Sequence, residues 1–258
     1  DVARRIAHEI KNPLTPIQLS AERLKRKYGS VIKEDRETFD RCTDTIIRQV
    51  GDLGRMVDEF SQFARMPKPV FEKTDVNEVV KEAVFLFQVS RPEISFTVSL
   101  PEPALVAHVD RRGLAQALTN LVKNATEAIA AVGEQEPKAD GYCGTVHVGL
   151  ESDADTLTIS IVDNGCGLPK KDRNRLTEPY VTTRTKGTGI GLAVVLKVIE
   201  QHGGSLRLDD APGTEHGAAV KVILPRRKPL QQSDFAAEQV REAAATRRAA
   251  SLAIGTTT

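Results

Sequence analysis

The chain has 258 residues, of which 40% are hydrophobic and 28% charged, and its formal net charge is +1 at pH 7. This composition indicates a globular protein of one or two domains, and the near-neutral charge gives no general attraction to nucleic acid, so we expect no nucleic-acid partner. Cys42, Cys143 and Cys166 lack the spacing of a redox or zinc motif, which favours reduced thiols in a cytosolic compartment. No apolar run approaches the roughly 18 residues of a membrane-spanning helix. Because the chain begins in mid-pattern at Asp1, we expect a cytoplasmic fragment of a longer protein.

The first predicted helix extends from near the N-terminus to about Tyr28 and carries His8 and Asn12. Its apolar residues recur at steps of four or three, which predicts one buried stripe: Ile6, Ile10, Leu14, Ile17, Ala21 and Leu24. At about 100° per residue, His8 points about 165° away from the centre of that stripe, and Asn12 shares its face. Taken alone, this pattern also fits a surface histidine on an amphipathic helix.

A second helix is predicted from about Asp35 to Ala64. Its apolar residues have heptad-like spacing: Phe39, Cys42, Ile46, Val50, Leu53, Val57 and Phe60. The two helices form an α-helical hairpin that cannot bury both stripes well, so a homodimeric four-helix bundle is expected. The hairpin taken alone could equally be a simple dimerisation stalk. We assign residues 1–66 to this hairpin and 67–72 to a stiff, proline-containing linker.

Beyond the linker, helices and strands are mixed, which predicts an α+β sandwich over residues 73–226 with its helices on one face of a mixed sheet. Helices are expected at 76–89, 112–132 and 190–202, and strands at 94–99, 145–150, 156–163, 205–209 and 218–224. The remaining residues, 227–258, are rich in Ala, Gln, Arg and Glu. They offer little apolar surface to bury, so a disordered tail is expected.

Two motifs in the second domain carry side chains suited to a nucleotide. Asn120 and Asn124 share one face of a helix, and carboxamide oxygens suit Mg²⁺ while carboxamide NH₂ groups suit phosphate. Asp163 ends an apolar strand, where its carboxylate could accept a hydrogen bond from a base amino group. Gly165 and Gly167 allow the backbone to turn close to a ring.

Further along the chain, a glycine-rich segment over 187–192 opens a helix, where backbone amides and the positive dipole end can hold phosphate. Its spacing differs from that of a Rossmann fingerprint, and no βαβ unit surrounds it. The turn over 213–217, taken alone, would only join the closing strands. A basic segment lies between the Asp163 motif and the glycine-rich segment, and it is either a mobile cationic lid or a solvated loop. Its basic residues are Lys170, Lys171, Arg173, Arg175, Arg184 and Lys186.

The ordered set of motifs is more specific than any one of them. The asparagine helix, DxGxG, basic segment, GxGxG and late glycine turn together resemble the Bergerat (GHKL) ATP-binding fold. With the upstream run from His8 to Pro13, they look like the H, N, G1, F and G2 boxes of bacterial two-component sensor histidine kinases, with the F box at 178–183. The resemblance covers about residues 1–226. The residues from Asp1 to Leu24 are most similar to the NtrY-type nitrogen-regulation kinases.

This resemblance implies that His8 accepts the γ-phosphoryl group of ATP, with Glu9 as general base, and that Asn12 orients a water that dephosphorylates the partner. His8 would pass its phosphoryl group to an aspartate on the receiver domain of a response regulator, NtrX-like by the same resemblance. The parent protein would lie in the inner membrane, attached through an N-terminal sensor part, with this homodimeric part facing the cytoplasm.

The same resemblance implies an ATP site in the sandwich. Asn124 would bind Mg²⁺, Asn120 and Lys123 would line the nucleotide, and Asp163 would bind adenine in a pocket shaped by Gly165 and Gly167. The remaining residues implied on the nucleotide side are Thr183, Lys186, Gly187, Thr188, Gly189, Gly191 and Leu192. Some relatives carry a basic residue where this chain has Glu127, so no phosphate contact is expected there.

Two other functions fit parts of the pattern. A Bergerat-fold ATPase that drives a conformational clamp would turn over nucleotide equally well after His8→Ala. A phosphatase-only scaffold would lose partner dephosphorylation after Asn12→Ala, and its wild-type His8 would never be phosphorylated.

Overall fold

The computed structural model describes residues 2–135, 142–170, 173–179, 181, 187–213 and 216–226. The chain opens with two long helices, α1 over Val2–Tyr28 and α2 over Arg36–Ala64. Lys25 pairs with Asp44 near one end of the hairpin, and Lys11 pairs with Asp58 near the other. Because the later residue of α1 meets the earlier residue of α2, the two helices are antiparallel.

The hairpin buries small side chains and leaves large ones exposed. Ala7 and Ala21 of α1 and Val50 and Val57 of α2 are buried. Six large apolar residues keep between 43% and 46% of their surface exposed: Ile6, Ile10, Ile17, Leu24, Ile46 and Leu53. The predicted stripe is therefore divided, with its alanine inside the hairpin and its isoleucines on the outer face.

The second part of the chain alternates strands and helices. Its elements are β1 (Glu72–Asp75), α3 (Val76–Ser90), β2 (Ile94–Ser99), β3 (Val106–Val109), α4 (Arg111–Gln135), β4 (Gly144–Ser152), β5 (Thr156–Asp163), a 3₁₀-helix (Arg173–Thr177), α5 (Gly191–Gln201), β6 (Ser205–Asp210) and β7 (Ala218–Pro225). Five strands form one sheet in the order β2-β4-β5-β7-β6, in which β2 and β4 are parallel and the other neighbours antiparallel. Strands β1 and β3 pair separately and antiparallel.

Strand β5 shows why the core lies on one side of this sheet. Its residues alternate between half-buried and buried, and the buried set is Leu157, Ile159, Ile161 and Asp163. Because alternate side chains of a strand point to one face, Asp163 is presented on the same face as the apolar residues that pack beneath the helices. The helix-covered mixed sheet confirms the predicted α+β sandwich of the GHKL type.

The pairing of β1 with β3 was not predicted. Each strand has four residues, too few for a clear alternation of apolar and polar side chains, and the two are joined only by non-local pairing. Glu72, the last residue of the predicted linker, pairs with Val109. Asp75 ends β1 and caps α3, since its Oδ1 accepts from the amides of Asn77 and Glu78 at 2.9 and 3.4 Å.

None of the helices in the described ranges combines the length and the apolar character that a bilayer crossing requires.

A buried histidine ties three segments of the sandwich together. His202, only 2% exposed, follows α5 and packs its ring edge-on against Phe71, with 5.1 Å between the ring centroids. Its Nε2 accepts the Asp110 amide at 3.0 Å, and its Nδ1 donates to the Val198 carbonyl at 2.7 Å. Since a backbone amide can only donate, the ring is neutral with its proton on Nδ1. Burial lowers the pKa of His202 from its ordinary value of 6.5, although the Val198 carbonyl and Asp110 act in the opposite direction.

The lowered pKa of His202 predicts that the sandwich loses stability in mild acid. The unfolded chain binds a proton at His202 before the folded chain does, so this stability is present above pH 6.5 and lost as the pH falls toward the lowered pKa. We expect His202→Gln to destabilise the fold by about 1–3 kcal/mol at pH 7.5, because glutamine lacks the ring that packs against Phe71 and bonds to Asp110 and Val198 in fixed directions. Thermal unfolding at pH 7.5 and 5.5 measures both effects, and His147→Gln, at an exposed histidine of β4, is the control. A wild-type chain and a His202→Gln variant with the same acid dependence would contradict this prediction.

Candidate nucleotide and phosphotransfer sites

The turn after β5 is packed directly against α4. Asp163 is 5% exposed, and its Oδ1 accepts the Gly165 amide at 2.8 Å, which fixes the carboxylate within the turn. The Cys166 amide donates to the carbonyl of Ala128 on α4 at 3.1 Å. A Cβ at Gly165 would lie 2.5 Å from the carbonyl carbon of Ala128, so only glycine allows this approach. The turn therefore lies against α4 one helical turn after Asn124.

A second glycine contact closes the turn from the opposite side. Gly217 has a φ of +129°, and a Cβ there would lie 2.2 Å from the carbonyl oxygen of Asp163. Gly167 has a φ of +75°, and its Cβ would lie 3.1 Å from the Gly217 carbonyl oxygen. The late glycine turn thus packs on the DxGxG backbone. The sequence interpretation missed this role for Gly217, and the repeated glycines at 213 and 217 were the available signal.

Asn164, also overlooked in the sequence, ties the same turn to the start of β4. Its Oδ1 accepts the Thr145 amide at 2.7 Å, and its Nδ2 donates to the Cys143 carbonyl at 2.8 Å. The hydroxyl of Tyr142 donates to the Asn164 carbonyl at 3.1 Å. These bonds hold the backbone around Asp163 through contacts with the segment that leads into β4.

The polar face of α4 carries the asparagines expected at the nucleotide. Asn120 and Asn124 are half-buried, whereas Lys123 is exposed and lies 3.9 Å from the Glu127 carboxylate, measured from Nζ to Oε1. Glu127 is thus close enough to offset the Lys123 charge. Mg²⁺ in nucleotide sites is held by one or two protein oxygens together with phosphate oxygens and water, and the Asn124 carboxamide fits that donor set. In the described part of the chain, no three His, Cys, Asp or Glu side chains converge as a metal cage.

The glycine-rich segment ends at the N-terminus of α5. Gly189 has a φ of +70°, and Ile190, which is 1% exposed, anchors the segment in the core. Among the described residues, no side chain caps α5 at Ile190, and a Cβ at Gly191 would meet no atom within 4 Å. The first turn of α5 therefore keeps amide donors that an anion could take up, beside Leu192. Two residues implied on this side, Thr183 and Lys186, lie outside the described residues.

Two arginines of the basic segment form ion pairs. Arg173 Nη2 lies 2.6 Å from an Asp210 oxygen at the end of β6, and its Nε donates to the Pro169 carbonyl at 3.4 Å. Arg175 Nε lies 3.5 Å from a Glu178 oxygen. Arg173 thus holds the 3₁₀-helix against the sheet. Lys171, Arg184 and Lys186 lie outside the described ranges.

His8 is one of the residues that line an open depression of about 820 Å³ on the hairpin. The residues that line it are Arg5, Ala7, His8, Glu9, Lys11, Asn12, Asp58, Ser61 and Arg65. His8 is exposed and Asn12 lies one helical turn further along α1, and the depression brings them together as the helical spacing predicted. Glu9 Oε1 lies 3.2 Å from Arg5 Nε, and the two side chains remain 63% and 84% exposed.

The hairpin also contacts the nucleotide side of the sandwich. Thr188, in the glycine-rich segment, donates its hydroxyl hydrogen to the carboxylate of Glu59 on α2. Lys197 on α5 donates to the Phe63 carbonyl at 3.4 Å and lies 4.7 Å from the centroid of the Phe63 ring. These contacts join residues 129 and 134 positions apart in sequence, which is why no local pattern indicated them.

Comparison with known families identifies two domains in the chain. Residues 1–69 match the His Kinase A (phospho-acceptor) domain, and residues 109–228 match the histidine kinase-, DNA gyrase B- and HSP90-like ATPase family. The first match contains His8 and its depression. The second contains Asp163, both asparagines of α4 and the glycine-rich segment.

The chain is also similar to curated proteins and to a solved structure. The chain is 57% identical to the nitrogen regulation protein NtrY of Azorhizobium caulinodans over 90% of its own length and 30% of that protein's. It is 36% identical to a putative NtrY-like sensor histidine kinase of Rickettsia felis, over 88% and 36% of the two lengths. The chain thus spans about a third of the length of the curated relatives it matches. A solved complex of histidine kinase ThkA with response regulator protein TrrA superimposes with a TM-score of 0.59 at 26% identity, covering 87% of this chain and 61% of that one. On these matches and on the fold, the chain belongs to the sensor histidine kinases of the NtrY type.

Proposed function

We propose that this chain is an ATP-dependent protein-histidine kinase that phosphorylates His8 and passes the phosphoryl group to an aspartate of a response-regulator receiver domain. The proposal depends most on one observation, that the hairpin bearing His8 and the ATP-binding sandwich are in contact. An exposed histidine lies over an open depression on the hairpin, and the glycine-rich segment of the ATP-binding sandwich contacts the same hairpin through Glu59. Each half alone would fit a narrower function.

In the proposed reaction, the neutral imidazole of His8 attacks the γ-phosphorus of ATP. A nitrogen–phosphorus bond forms as the bond to the ADP oxygen breaks, and the proton on the other ring nitrogen passes to a base. Glu9 is the proposed base because its carboxylate adjoins His8 in sequence and lines the same depression. Its exposed pair with Arg5 contributes no more than about 1 kcal/mol, so Glu9 can exchange partners easily.

The nucleotide would lie between α4, the turn after β5 and the start of α5. The Asp163 carboxylate would accept the adenine amino group, and the uncapped amides of α5 with Gly187, Thr188, Gly189 and Gly191 would hold phosphate oxygens. Asn124 would hold Mg²⁺, which neutralises phosphate charge when bound, and Asn120 would bind the adjoining phosphate side. The match of residues 109–228 to an ATPase family supports this assignment.

The proposed partner is an NtrX-like regulator that receives the phosphoryl group from His8. The similarity to NtrY supports a role in nitrogen regulation, and the likeness to ThkA, solved in complex with response regulator protein TrrA, supports transfer to a receiver domain. Asn12 lines the depression beside His8, where it could also orient a water to hydrolyse the phosphorylated regulator. The proposal includes a parent protein anchored in the inner membrane, with this part facing the cytoplasm.

The outer face of the hairpin supports a homodimer. Its half-exposed isoleucines and leucines line up along both helices, and a second hairpin would cover them in a four-helix bundle. His8 lies on the opposite side of α1, about 165° from the centre of that stripe, so dimerisation would leave it accessible.

Incubation with γ-labelled ATP and Mg²⁺ tests the kinase proposal. We expect an acid-labile, alkali-stable label on the wild-type chain and none on His8→Gln, because a phosphoramidate hydrolyses in acid. His108→Gln removes another exposed histidine, on β3 and outside the proposed site, and serves as the control. ATP turnover that is equal in wild type and His8→Gln, with no label on either, would instead indicate an ATPase clamp.

Asp163→Asn tests the adenine side of the site. The variant keeps the size of the side chain but replaces one acceptor oxygen with a donor, so we expect ATP affinity to fall about tenfold or more. Calorimetric titration with a non-hydrolysable ATP analogue measures this change. Asp155→Asn makes the same charge change at an exposed turn and should bind as wild type does. Equal affinities for both variants would contradict the assignment of Asp163.

Leu53→Glu tests the dimer. Leu53 is 45% exposed on the outer face of α2, and an unpaired carboxylate buried at a dimer interface should raise the dissociation constant about 100-fold or more. Light scattering over a range of concentrations measures the mass. Leu19→Glu changes a 59% exposed leucine on the His8 side of α1 and should leave the mass unchanged. A wild-type chain that stays monomeric at every concentration would contradict the proposed interface.

A further inference from the structure

The depression beside His8 contains an unbalanced charge. Two of its three basic side chains are paired with its two carboxylates, Arg5 with Glu9 and Lys11 with Asp58. The third, Arg65, forms no ion pair with any of the described residues. The side of the depression formed by the end of α2 is therefore positively charged.

The guanidinium of Arg65 is held in place by the adjoining turn of α2. Its Nε donates to the Ser61 carbonyl at 3.0 Å, and its Nη2 donates to the Ser61 hydroxyl at 2.6 Å. Ser61 is 4% exposed, so the anchoring group is buried and fixed by the hairpin. A guanidinium has five N–H donors, and the two bonds to Ser61 leave three of them for another acceptor.

A phosphoryl group on His8 would add negative charge to the depression that Arg65 also lines, and a cation there would stabilise it. It carries nearly two negative charges near neutral pH, and the C-terminus of α2 presents carbonyl groups that repel an anion. The planar fork of an arginine can donate to two oxygens of a phosphoryl group at once, and its single positive charge offsets part of the negative charge. Lys11 and Arg5 could do the same only by giving up their carboxylate partners.

We propose that Arg65 binds the phosphoryl group directly while that group is attached to His8. The inference rests on the proposed function, because it takes His8 as the phosphorylated residue. Arg65 would donate from its unused N–H groups to the phosphoryl oxygens while Ser61 keeps the guanidinium in place. Since Arg65 is exposed on the depression, an incoming receiver domain can take over the phosphoryl group without displacing buried structure.

Chemical phosphorylation tests this inference without using the kinase reaction. Potassium phosphoramidate transfers its phosphoryl group to histidine: a nitrogen–phosphorus bond to the imidazole forms, the bond to ammonia breaks, and ammonia leaves. A ³¹P NMR titration of the whole chain then gives the pKa of the phosphoryl group, and the signal missing from His8→Gln identifies the one on His8.

We expect Arg65→Gln to raise the pKa of the His8 phosphoryl group by about half a unit, because a nearby cation favours the dianion. Arg65→Lys, which keeps the charge but loses the fork, should raise it less. Arg55→Gln removes one positive charge from an exposed position on the same helix, outside the depression, and should leave this pKa unchanged.

If Arg65 only stabilised the end of α2, Arg65→Gln would lower the thermal unfolding temperature and leave the phosphoryl pKa at its wild-type value, which would overturn the inference. Arg65→Lys gives the same comparison if Arg65→Gln does not fold. The two proposals fail separately. A chain that takes no label from ATP but shows the Arg65-dependent pKa contradicts the kinase proposal only, whereas a labelled chain whose phosphoryl pKa ignores Arg65 contradicts this inference only.

Discussion

The contact between α4 and the turn after β5 determines the geometry of the ATP-binding half. The Cys166 amide donates a hydrogen bond to the carbonyl of Ala128, and Gly165 lies so close to Ala128 that no side chain would fit at position 165. This contact sets the distance between the asparagines of α4 and Asp163, which come from separate elements. The register of β5 then turns Asp163 toward the helices, and Gly217 closes the turn from the other side. A nucleotide site of this shape depends on backbone packing more than on any one polar side chain.

The hairpin, in contrast, has little buried surface between its own two helices. Its interior seam contains alanines and valines, and the ion pairs that cross it are exposed, so each adds little to its stability. Most of its large apolar surface lies on the outside. Its stability and the accessibility of His8 are therefore separate properties, because the apolar surface and the histidine occupy opposite sides of α1. A second copy can stabilise the helices without covering the depression.

Periodicity and motif order predicted most of the fold, including the helices, strands and turns on which the candidate site residues lie. The two long helices, the five strands of the sheet and the positions of Asp163 and the asparagines follow from local spacing, which a sequence displays directly. Strands β1 and β3 were missed because four residues are too few to show a period and their pairing is non-local. Gly217, Asn164, and the pairs of Thr188 with Glu59 and Arg65 with Ser61 were missed because each acts through a close contact in the folded chain. Arg65 and Ser61 are four residues apart on a helix, but nothing in the spacing showed that this face borders His8.

The bond between Thr188 and Glu59 has a consequence for energetic coupling between the two halves. A hydroxyl has one hydrogen to donate, so Thr188 cannot donate to Glu59 and to a phosphate oxygen at the same time. A phosphate that takes the Thr188 hydrogen must therefore displace the Glu59 carboxylate. A phosphate held only by the backbone amides of this segment would instead lie close to the Glu59 carboxylate and be repelled by its negative charge. By thermodynamic linkage, the factor by which the hairpin contact weakens nucleotide affinity equals the factor by which bound nucleotide weakens the hairpin contact. If Thr188 binds phosphate in the proposed site, a rotation of α2 that moves Glu59 away would raise the affinity for nucleotide, and the position of the hairpin would be coupled to ATP binding.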